Sequence, residues 1–138
     1  MTSYALSTTI TTSYDDAVAR IRAALAEQGF GVLTEIDVAA TMKVKLDIDM
    51  APQLILGACN PPLAYAALSH EPSIGLLLPC NVVVRTVDDQ HTLVEAMDPA
   101  VMVTATGNPA LSEVATEARD RLTAALASLD ADESGDPA

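Results

Sequence analysis

The chain has 138 residues, 50% of them apolar and only 3% aromatic, with a net charge of −12. That length fits one domain whose core is built from Ala, Leu, Val and Ile without a metal or disulfide staple. The acidity excludes a nucleic-acid backbone or an anionic membrane surface as partner, because both need clustered Lys and Arg, and Lys and Arg together number 7.

Taken in order, Tyr4–Ile10 is Thr-rich and loosely alternating, which predicts a first strand. Ser13 then reads as a helix cap, with Asp15 and Asp16 favourably placed in the first turn. Ala17, Ile21, Ala24 and Leu25 keep helical spacing, and Gly29 ends the helix. Phe30–Ile36 predicts a second strand, and Asp37 caps a short helix over Val38–Leu46. Within that helix Met42 and Leu46 lie one turn apart, while Lys43 and Lys45 point away from their line. Residues 47–52 read as a loop.

The stretch from Gln53 to Arg85 holds both cysteines and the densest apolar runs. Leu54–Leu56 leads to Cys59-Asn60, and Leu76–Leu78 leads through Pro79 to Cys80-Asn81. Each run is short and bounded by Gly or Pro, which predicts a buried strand. Between them Asn60 caps a helix that starts at Pro61 and ends near His70 or Glu71, before Pro72. Val82–Val84 is a strand by β-branching and continues to Val87. Asp88–Gln90 makes a turn, and His91–Met97 is the hairpin partner. Asp98-Pro99 opens a short turn or helix through Met102. The last helix starts with Asn108 as cap and Pro109 at its first position. Its apolar stripe is Leu111, Val114, Ala115, Ala118, Leu122, Ala125, Leu126 and Leu129.

This layout, β-α-β-(α)-β-α-β-β-α, predicts an α+β fold: a mainly antiparallel sheet with helices on one face. Residues 1–129 form one domain, and 130–138 form an acidic tail expected to be disordered. The uncovered sheet face calls for a second copy, so a homodimer is expected. No apolar run approaches the ~20 residues of a membrane span. The first residues lack the basic start and apolar centre of a secretory signal, so a cytoplasmic protein is expected. In that compartment the two cysteines are expected to be thiols.

Topology decides whether Cys59 and Cys80 can meet. Parallel strands would put the two Cys-Asn pairs at opposite ends of the sheet, and antiparallel strands would put them at the same end. The candidate ligand-binding residues are Cys59, Asn60, Cys80 and Asn81, with Lys43, Lys45 and Arg85 as sources of positive charge. The cysteines are candidates for packing groups, redox thiols, metal ligands, a nucleophile or a labile disulfide. Two cysteines do not complete a tetrahedral zinc site, and neither His70 nor His91 is spaced as a metal partner. Asn60 has a cap to make, whereas Asn81 at a strand start has no such task. Glu35 and Asp37 share a strand face as a candidate acid–base pair. There is no phosphate-binding glycine loop, nucleophile elbow, metalloprotease helix or dinucleotide fingerprint, so no cofactor and no reaction are assigned.

Three segments carry a resemblance: Gly29–Val38, Ile55–Pro61 and Ile74–Val84, joined by the lysine-bearing Ala40–Leu46. Over about Tyr4 to Leu129 the chain resembles the domain-of-unknown-function 302 family. Asp47 stands where a glycine is expected after the lysine helix, and Gln53 where a basic residue is common. The resemblance implies a compact α+β domain that dimerises, and no established activity. The expected function is therefore a homodimeric module binding a small molecule or metal ion at the Cys-Asn strand ends. The alternatives are a structural dimerisation domain with packing cysteines and a thiol-dependent redox protein.

Overall fold

The computed structural model describes residues 3–134. Five strands form one sheet: β1 (Ala5–Ile10), β2 (Gly31–Asp37), β3 (Gln53–Cys59), β4 (Cys80–Thr86) and β5 (Thr92–Met97). Their order is β1-β5-β4-β3-β2, and all four pairings are antiparallel. The helices are α1 (Tyr14–Glu27), α2 (Val38–Leu46), α3 (Pro61–His70), α4 (Ala100–Thr106) and α5 (Ser112–Ser134).

Strands β2 to β5 follow one another as a meander, so the unusual connection is the one from β1 to β2, at opposite edges. Helix α1 makes it. Its 14 residues span about 21 Å at 1.5 Å per residue, close to the roughly 19 Å across five strands. Ser13 caps the helix by accepting from the Asp16 N–H, with Asp15 and Asp16 in the first turn, as expected. Gly29 follows at φ +82°, a left-handed angle that suits glycine.

Alternation along the strands separates two faces. Ile10, Leu54, Leu56, Ala58, Val82, Val84, Val94 and Ala96 face the helices and pack with Ala17, Ile21, Leu25, Leu122, Ala125 and Leu129 of α1 and α5. All eight residues of the predicted α5 stripe are buried. A second cluster, of Ala67, Ile74, Met102, Leu111, Val114 and Ala115, lies where α3, α4 and the start of α5 meet. The other sheet face is open. Its residues include Ile55, Val83, Leu93 and Met97, all half-buried, and the ion pair Arg85–Glu95 at 3.3 Å.

Several expectations need correction. Leu76–Leu78 is not a strand: Pro72–Leu77 is a 3₁₀ helix anchored by fully buried Ile74, and Leu76 is 88% exposed. A short apolar run between prolines carries no period that separates these outcomes. The β4–β5 hairpin lies inside the sheet, because β1 pairs with β5. The final helix starts with a 3₁₀ turn, Pro109–Leu111, whose Asn108 cap is as expected. The backbone of α5 continues to Ser134, past the expected tail start at Asp130, and residues 135–138 lie outside the described residues. No residue of α2 is buried, so the Met42–Leu46 line finds no core in this chain.

Candidate functional site

The antiparallel pairing of β3 and β4 answers the question left open by the sequence. Ala58 opposes Cys80 and Gly57 opposes Asn81, so both Cys-Asn pairs sit at the same end of the sheet. Cys80 begins β4 on the helix-facing side and is 6% exposed. Cys59 is the last residue of β3, where the chain turns into Asn60 at φ −102°, ψ 105°. It is half-buried, and both thiols are free.

These residues surround a cavity of about 30 Å³. Cys59, Asn60, Cys80 and Ala58 line it from the strand ends, with Phe30 beside them. Leu63, Ala64 and Ala67 of α3, Leu78, Met102 of α4, and Val114 and Ala118 of α5 line the rest. The cavity therefore lies between the two hydrophobic clusters, where three helices converge on the end of the sheet. Burial pushes the Cys80 thiol up from an ordinary 9.0 to about 11, and nearby Cys59 adds to the rise. At neutral pH Cys80 is thus a protonated thiol, a weak nucleophile.

Asn60 is committed to structure. Its Oδ1 accepts from the Leu63 N–H at 3.3 Å, capping α3, and its Nδ2 donates to the Gln28 carbonyl at 3.5 Å. Arg121 Nη1 donates to the same carbonyl at 3.0 Å. One carbonyl at the end of α1 thus ties together α3 and α5 beside the cavity. Gly29 makes room for this: a Cβ there would lie 3.0 Å from Asn60 Nδ2 and 3.3 Å from Arg121 Nη1.

The other candidates lie elsewhere. Asn81 is exposed on the open face, beside a shallow hollow of about 270 Å³ lined by Tyr4, Val83, Glu95 and Met97. Arg85 is on that face too, paired with Glu95. Lys43 and Lys45 belong to α2, which joins the ends of β2 and β3 through residues 47–52; β3 starts at Gln53, six residues and at about 3.3 Å each roughly 20 Å from Cys59. Lys43 contacts Asp47 at 2.8 Å and Asp49 at 3.2 Å. Hydrogen bonds to these two carboxylates hold its ammonium pKa above the ordinary value. Glu35 pairs with Arg22, and Asp37 caps α2 by accepting from the Ala40 N–H at 2.9 Å. The supposed acid–base pair is therefore divided between two structural tasks.

The cavity residue that sequence reasoning missed is Met102. It lies 22 residues after Cys80 on a different helix, and no spacing rule connects them. Among the described residues, no three His, Cys, Asp or Glu gather as a metal site. No described helix is long and apolar enough to cross a membrane.

Comparison with known proteins is consistent with this architecture. A crystal structure of an uncharacterized conserved protein DUF302 from Bacillus stearothermophilus superposes with a TM-score of 0.83 at 29% identity, covering 91% of this chain and 97% of that one. No curated protein matches. The family described as "Domain of unknown function DUF302" matches residues 6–129, nearly the whole chain. The chain belongs to the DUF302 family.

Proposed function

We propose that this chain is a homodimeric binding module whose guest occupies the cavity at the Cys59–Cys80 end of the sheet. The observation that carries this reading is the β3–β4 register, which brings Cys59, Asn60 and Cys80 around one cavity. A volume of about 30 Å³ holds one or two water-sized guests. It favours an ion or a very small molecule over an organic metabolite. The open sheet face, with Ile55, Val83, Leu93 and Met97 half-covered, is where the second copy docks. A cytoplasmic setting belongs to the same reading, since the thiols stay reduced there.

Thermal unfolding against a panel of ions and water-sized molecules tests the cavity. A guest that binds only the folded chain raises Tm by mass action. Ala118→Leu, which fills the cavity with side chain, abolishes that rise if the guest sits there. A panel that raises Tm for no guest, or a rise that survives Ala118→Leu, sinks the reading.

A second reading has its own support. Cys80 is buried with its thiol pushed up to about 11, and Asn60 is spent on a helix cap. Both suit a dimerisation domain whose cysteines only pack, and both weigh against thiol redox chemistry. No Tm rise with any guest, together with only the stability loss of a core cavity in Cys80→Ala, would favour that second reading.

A further inference from the structure

We propose that the cavity takes an uncharged apolar guest of diatomic size, a dissolved gas rather than an ion; this rests on the cavity being the guest site. Its floor includes buried Ala58, Ala67, Cys80, Met102, Val114 and Ala118. Leu63, Ala64 and Leu78 are half-buried and form its rim. No charged side chain is among the lining residues. An ion here would lose its hydration with no counter-charge to replace it, which burial penalises heavily. Cys80 brings no charge at neutral pH, because burial keeps its thiol protonated. Leu54, Leu56 and Ala58 face the helices, so alternation turns the Cys59 side chain to the open face. Cys59 therefore supplies no second thiol to the interior.

Water fits the lining no better. Asn60 is the only amide there, and it is already engaged at both ends: its Oδ1 accepts from the Leu63 N–H at 3.3 Å and its Nδ2 donates to the Gln28 carbonyl at 3.5 Å. A trapped water needs roughly two to four polar partners, whereas apolar cavities stay dry and accept apolar guests such as xenon. Ala58, Ala64, Ala67 and Ala118 leave open the space that larger side chains would fill. A guest there regains the dispersion contacts that an empty space forfeits. The Met102 thioether adds polarisable sulfur without charge. A volume of about 30 Å³, room for roughly one or two water-sized groups, sets the guest at diatomic size. Binding is non-covalent: no bond forms or breaks, and no electron moves.

The test uses the full reduced chain in solution, with xenon as the probe. Methyl ¹H–¹³C NMR spectra are recorded at rising xenon pressure, and then with iodide or ammonium in place of xenon. The expected result is saturable shifts of the Leu63, Leu78, Met102 and Val114 methyls under xenon, and none under either ion. Ala118→Leu fills the space and should abolish the shifts. Ala64→Leu, at the half-buried rim, is the second filling variant and serves if Ala118→Leu does not fold. Met102→Leu keeps the volume and should leave the other three residues responsive. Shifts that survive filling, or that iodide or ammonium reproduces, overturn the proposal. Should xenon move no methyl while an ion gives a Tm rise abolished by Ala118→Leu, the apolar assignment falls and the cavity reading stands. Should no guest of either kind bind, both fall.

Discussion

Gly57→Ala tests how closely the strand ends near the cavity are packed. Gly57 faces the open side of β3, opposite Thr34 of β2 and Asn81 of β4. A Cβ built there would lie 2.1 Å from Thr34 Oγ1 and 2.8 Å from Pro79 Cγ. Both distances are well inside a normal carbon contact of ~3.5–4 Å. The Thr34 hydroxyl is exposed on an edge strand and can rotate away, at about 0.5–1.5 kcal/mol if it leaves its rotamer well. The Pro79 ring cannot yield without moving the backbone that leads into Cys80. Overpacking of this kind costs about 1–3 kcal/mol, and relief from the glycine entropy term returns roughly 0.5–1 kcal/mol. The net expectation is a destabilisation of about 1–2 kcal/mol in urea unfolding followed by circular dichroism, with an unchanged m-value. Repeating Gly57→Ala in a Thr34→Ala background should recover only the hydroxyl share, under about 1.5 kcal/mol. A stabilising Gly57→Ala would refute the packing argument. Full recovery in the double variant would refute the role given to Pro79.

Stability should also fall at alkaline pH. The folded-state Cys80 pKa is raised from 9.0 to about 11, so the folded chain keeps a proton that the unfolded chain releases in that window. The contribution is fully present below pH 9 and is lost as pH rises through 11, with a slope of up to ~1.4 kcal/mol per pH unit. Cys80→Ala should flatten that slope in unfolding curves collected between pH 8 and 11; an unaltered slope would assign it to other groups. Thiol labelling of the native chain should modify half-buried Cys59 first and Cys80 mainly on unfolding, so equal native rates would contradict the burial. Asn60→Ala should lower stability by about 1–2 kcal/mol through loss of the α3 cap. Asn60→Asp should retain the cap while losing the donor to the Gln28 carbonyl, and equal losses in the two variants would mean the cap contributes little. Val83→Asp, on the open face, should convert the expected dimer to a folded monomer in sedimentation equilibrium. A parent chain already monomeric at high concentration would remove the dimer from the proposed function.

Local signals alone placed most of the elements. Ser13, Asp37, Asn60 and Asn108 were legible as caps, and each accepts from a backbone N–H of its own first turn. This works because a cap is satisfied within three residues of itself. The α5 stripe was legible for a similar reason: a helix must bury one face, and the period records which. Leu76–Leu78 was misread because three apolar residues carry no period, and the fate of Ile74 in the second cluster decided the local conformation.

The candidate site was only half legible. The paired Cys-Asn motifs pointed to one end of the sheet, but only the antiparallel register of β3 and β4 brings them together. The same register puts Arg85 opposite Gln53, at the far end of β3 from Cys59, and α2 with Lys43 and Lys45 connects β2 to that same end. Met102 was invisible as a cavity residue, since its neighbours are set by how α4 docks against α3 and α5. Most element types, the caps and the buried stripe follow from neighbours a few residues away. Which side chains share a cavity depends on strand register and helix docking, long-range contacts that only the folded chain makes.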